Sequence, residues 1–87
     1  MLELTGTITK IEAPFKTKKG NIIQSISLRR EKRVFVYPEI HNNIELLNGI
    51  SIGDDVQIEY ELYGKEKSTL ENKVHFHTIV VKNIKKL

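Results

Sequence analysis

Three groups of residues in this chain have the types and spacing for chemistry. His75 and His77 flank Phe76 and, on a strand, project from one face, a spacing that suits zinc or copper. No third ligand is evident beside them, although His41 lies elsewhere in the chain, and satisfied surface histidines are the plainer reading. Asp54 and Asp55, with Glu59 and Glu61, are the carboxylates a divalent cation would need. Glu59 and Glu61 alternate with apolar residues, however, and read as the solvated face of a strand. The third group is basic and aromatic. Residues 29–37 run RREKRVFVY, and FKTKKG (15–20) and GKEKSTLENK (64–73) add further lysines. Cations neutralise phosphates and release counterions, while aromatic faces stack unpaired bases, so this combination suits single-stranded nucleic acid. There is no nucleophile–base pair, no phosphate-binding glycine loop and no supported pair of catalytic acids. The chain therefore reads as a binding protein rather than an enzyme, with no cofactor.

Whether Phe35 and Tyr37 are available to a ligand depends on the elements that carry them. Most of the chain alternates with period two, the strand signature. In the first strand Leu2, Leu4 and Ile8 share a face, Gly6 interrupts it, and Ile11 and Ala13 are out of phase by one. A glycine plus a phase slip predicts a bulge or sharp coil. Pro14 and the basic loop FKTKKG follow. The second strand, about 21–29, sets Ile22, Ile26 and Leu28 on one face and Ile23, Ser25, Ser27 and Arg29 on the other. After a tip near Arg30–Lys32, the third strand sets Val34 and Val36 inward and Arg33, Phe35 and Tyr37 outward. In 38–49, Ile40, Ile44 and Leu47 are spaced i, i+4, i+7 between Pro38 and Gly49, which predicts a short helix with one buried stripe. The fourth strand, 56–63, directs Val56, Ile58, Tyr60 and Leu62 to the core. A polar loop at 64–73 leads to a last strand near 74–84, ending in the basic tail KNIKKL.

The totals agree with this plan. Eighty-seven residues, 39% hydrophobic and 29% charged, fit one globular domain over 1–87. No cysteine is present, so neither disulfides nor thiolate metal sites arise, which suits a cytoplasmic setting. The opening MLELTGTITK lacks the form of a signal peptide, and no apolar run approaches the roughly 20 residues of a membrane span. A net charge of +3 is a mild pointer to an acidic partner. The predicted fold is all-β with small α content: a five-stranded oligonucleotide/oligosaccharide-binding (OB) barrel with a short helix between strands 3 and 4.

On LTGTITKIE, KTKKGN, RVFVYPE and SIGDDVQIEYEL the chain resembles OB-fold proteins of the small single-stranded-DNA-binding kind over nearly its whole length. In such folds the strand 2–3 face and the loops joining strands 1–2 and 4–5 form the usual groove. Carried onto this sequence, the resemblance implies nucleic-acid contacts from Arg29, Arg33, Phe35 and Tyr37 on the face. Lys16, Lys18 and Lys19 would serve from the first loop, and Tyr63, Lys65, Lys67 and Lys73 from the last. Single-stranded DNA is the expected ligand, with RNA a lesser one, in replication or recombination of a phage or mobile element. The alternative is an accessory subunit of a DNA polymerase, primase or helicase, with a replication protein or a second copy of the chain covering the aromatics. The acidic face of strand four, and the lack of an acidic recruitment tail like that of bacterial single-strand-binding proteins, motivate it.

Overall fold

β1 (Leu2–Ile11) serves two neighbours in turn. Its first half pairs antiparallel with β6 (Asp55–Ser68), from Leu2 opposite Tyr60 to Thr7 opposite Asp55. Its second half pairs with β3 (Ile22–Glu31), from Thr7 opposite Arg29 to Ile11 opposite Ile26. Thr9 is an extra residue between Ile8 and Lys10, and this bulge is the phase slip seen in the sequence. Ile8 is buried before it and Ile11 packs on the same core after it. A Cβ on Gly6 would lie 3.0 Å from the Arg29 carbonyl oxygen, so glycine is what lets β1 approach β3 so closely.

The other pairings of this computed structural model close a ring. β3 pairs with β5 (Glu39–His41), β5 runs parallel to β7 (Lys73–Lys86) at Glu39 and Val80, and β7 pairs antiparallel with β6. β6 returns to β1, completing a five-stranded OB barrel. Two short strands, β2 (Phe15–Lys16) and β4 (Val34–Val36), extend the pairing along β3. Ile8, Ile26, Leu28, Ile40, Val56 and Ile58 fill the interior, with Leu4 and Val81 beside them. The structure describes residues 2–68 and 73–87, and of 65–68 and 73–77 the backbone alone. Among the described residues no helix is long and apolar enough to cross a membrane.

Several local expectations are corrected. The helix expected over 38–49 is confined to a 3-10 turn at Ile44–Leu47, preceded by β5. Ile40 is buried by strand pairing opposite Gln24, and Asn42, at φ 63°, ends the strand. The Asn42 N–H donates to the Ile22 carbonyl, and its side-chain oxygen accepts from the Ile22 N–H at 2.9 Å. Pairing with β3 thus outweighs a helical spacing that is coincidental, and Ile44 is exposed. Val34 is exposed rather than inward, because a bulge between Arg29 and Glu31 shifts its register. Ile22 and Leu62 have inward parity but are also exposed. Of the polar loop expected at 64–73, residues 64–68 and 73 are paired backbone, since β6 continues to Ser68 and β7 begins at Lys73; residues 69–72 lie outside the described residues. The basic tail is strand as far as Lys86, with Ile84 packed on the core.

Candidate nucleic-acid interface

β3 and the segment 35–41 share one continuous antiparallel register. It runs from Ile23 opposite His41, through Ser25 opposite Glu39, to Leu28 opposite Val36 and Arg29 opposite Phe35. The Ile26 N–H donates to the Pro38 carbonyl at 3.0 Å and carries the pairing across the gap between β4 and β5. Ile26, Leu28 and Ile40 are buried, so the residues between them face outward. Directly opposed residues share a face. The outer face therefore carries the pairs Ile23–His41, Ser25–Glu39, Ser27–Tyr37 and Arg29–Phe35. β2 adds Phe15 beside Ile23, and β1 adds Thr7 beside Arg29.

Phe35 and Tyr37 point outward, as their parity predicts. Tyr37 is 68% exposed, Phe15 56% and Phe35 45%. Along an extended chain Phe35 and Tyr37 are about 6.7 Å apart, which sets two rings side by side with room for planar groups to stack on each. Cations bracket the rings. Lys16, Lys18 and Lys19 are exposed at the β2 end. Their loop is closed by Thr17 N–H to the Asn21 carbonyl at 2.7 Å, and by Gly20, at φ 88°, donating to the Thr17 carbonyl.

At the opposite end Arg29, Arg30 and Arg33 gather around two adjoining shallow depressions of about 330 and 490 Å³ that share Thr7, Arg29 and Arg30. The larger also takes in Glu31, Lys32, Arg33 and Phe35. Among the described residues no carboxylate lies within ion-pair distance of these arginines. Asp55, on the rim of the smaller depression, accepts a hydrogen bond from the Thr7 hydroxyl.

Tyr63 is 46% exposed on β6 and is held by Lys82, the bulged residue of β7. The Lys82 ammonium donates to the Tyr63 hydroxyl at 3.1 Å and lies 5.4 Å from the centre of its ring. The Tyr63 hydroxyl in turn donates to Glu61 at 3.1 Å. The hydrogen bond to Tyr63, with the adjacent charge of Glu61, holds the Lys82 ammonium above the usual lysine range. Lys82 sits on one face of this ring. The side chains of Lys65, Lys67 and Lys73, and of His75 and His77, lie outside the described residues. Among the described residues no group of three His, Asp or Glu side chains could hold a metal ion.

Sequence reasoning overlooks four participants in this face. Arg30 has inward parity with Leu28, and only the bulge at its position turns it outward. Glu39 and His41 fall within the expected helix, whereas β5 sets them on the outer face, with His41 Nε2 within hydrogen-bond distance of Glu39 Oε1 at 2.9 Å. Thr7 joins the site because β1 changes partners there, and no sequence signal marks that change.

No family model matches the chain, and no curated protein matches it in sequence. Among solved structures it is similar to a small single-stranded DNA-binding protein from Streptomyces coelicolor, with a TM-score of 0.48 and 10% identity over 98% of this chain and 91% of that one.

Proposed function

We propose that this protein binds single-stranded nucleic acid, DNA ahead of RNA, across the outer face of β3 and the segment 35–41. The observation that carries this reading is the exposure of Phe15, Phe35 and Tyr37 on one face, bracketed by lysines at one end and three arginines at the other. Large rings exposed together favour a partner, and cations at both ends favour an anionic one. Phosphates would lie against Arg29, Arg30 and Arg33 and against Lys16, Lys18 and Lys19, while bases stack on the rings. Lys65, Lys67, Lys73 and Tyr63 would extend the same contacts. Replication or recombination of a phage or mobile element, alone or beside a replication protein, is the setting such a face would serve.

Titration of a fluorescent oligo-dT at two salt concentrations tests this. Binding at low salt that weakens steeply as salt rises is expected; no binding at low salt, or binding that ignores salt, refutes it. Tyr37→Ala and Phe35→Ala should each weaken binding at every salt by about 1–3 kcal/mol. Lys18→Ala and Arg30→Ala should each lower the slope of log affinity against log salt by about 0.7 for each phosphate left without its cation.

A further inference from the structure

The middle of the face has the wrong charge for a phosphate. Glu39 stands between the lysine end and the arginine end, opposite Ser25 on β3 and opposite the buried Val80 on β7. Its side chain is 33% exposed, and one oxygen, Oε1, is 2.9 Å from His41 Nε2. Among the described residues Oε2 has no hydrogen-bond partner. A half-buried carboxylate repels phosphate and attracts hydrogen-bond donors. A strand crossing this face would therefore rest its phosphates on the cationic ends and turn base edges towards the centre.

We propose that Glu39, oriented by His41, accepts a hydrogen bond from the exocyclic amino group of a base stacked beside it, so that the face prefers cytosine to thymine or uracil. The proposal rests on the strand-binding reading above and deepens it. Cytosine presents a 4-amino donor where thymine and uracil present a carbonyl, whose lone pairs oppose a carboxylate. The Ser25 hydroxyl, across the strand pair, can donate or accept and leaves this discrimination to Glu39. The neighbouring rings of Tyr37 and Phe35 stack any base and supply affinity without this choice.

Fluorescence anisotropy with labelled oligo-dC and oligo-dU of equal length, at low salt and pH 8 where cytosine is neutral, tests this. The two differ at the pyrimidine edge and lack the methyl group of thymine. Oligo-dC should bind about tenfold more tightly than oligo-dU. In Glu39→Gln the ratio should collapse towards one while affinity for oligo-dU holds or rises, because a negative charge leaves the groove. Equal affinity of the unaltered protein for both oligomers overturns the proposal and leaves strand binding standing. No binding of either oligomer overturns both. If Glu39→Gln shifts both affinities together and keeps their ratio, Glu39 serves only to hold His41, and the proposal fails. Should Glu39→Gln not fold, Glu39→Ser takes its place with the same expected loss of the ratio, and equal affinity in the unaltered protein overturns the proposal in either case.

Discussion

Arg33 holds a left-handed backbone, φ 71°, where a side chain crowds the following carbonyl at a cost of about 1–2 kcal/mol. Arg33 lines the larger depression of the basic end, so the strained residue is also one of the proposed phosphate contacts. Arg33→Gly removes the strain but frees the unfolded chain, and the two effects nearly cancel. Unfolding by urea should show stability unchanged or raised by up to about 1 kcal/mol, while the salt dependence of oligonucleotide binding becomes shallower. A marked loss of stability would instead show that the arginine side chain itself holds the tip together. Lys82 differs, because hydrogen bonding to Tyr63 raises its pKa. The stabilising contribution of a raised lysine is complete below the ordinary lysine range and fades only as pH rises through the raised value. Its hold on Tyr63 is therefore constant through neutral pH.

β1 and β3 meet where the site is built, and Gly6 sets their separation. A methyl group there would press on the Arg29 carbonyl and on the Leu28 side chain, at 3.0 and 3.4 Å. Elsewhere a Gly→Ala change in a strand gains stability through the unfolded state, but here backbone stands in the way. Gly6→Ala should cost about 1–3 kcal/mol, measured by urea denaturation. Because Arg29 and Phe35 are paired in β3 and β4, the displaced strand should also weaken oligonucleotide binding. A variant as stable as the parent would mean that β3 can move aside freely. Bulges act at the same scale: Thr9 returns β1 to the core, and the bulge at Arg30 turns that residue into the site.

In the whole molecule, ring closure makes the core a single unit. Ile8 is fully buried where β1 changes partners, so it touches both halves of the barrel. Ile8→Ala should lower stability by about 2–5 kcal/mol, through reduced burial and the cavity left behind. Ile52 is equally apolar but 64% exposed in the turn before β6. Ile52→Ala should stay within about 0.5 kcal/mol of the parent. Thermal or urea unfolding of the two variants side by side checks the contrast, and equal losses would contradict the assignment of the core. The ring also orients the candidate interface, because an inward Leu28 and Ile40 oblige Arg29 and Glu39 to face out.

Alternation along the chain was enough to determine much of this protein. It marked β1, β3, β4, β6 and β7 and the inward Ile26, Leu28, Val56 and Ile58, located the slip in β1, and directed Phe35 and Tyr37 outward. Period two needs only the residue types on a single strand, and burying one face of a strand forces the direction of the other. Tertiary structure decided what depends on neighbours. Ile40 belongs to a strand because β3 and β7 supply its partners, although its local spacing fits a helix as well. Val34 and Arg30 exchanged the faces their parity implied because of one bulge, whose position follows from the pairing of β3 with β4. Glu39 joined the interface because β5 is a strand, again through its pairing with β3. Sequence patterning records which residues avoid water, whereas the strand opposite, and so the company each outward side chain keeps, is settled only when the ring closes.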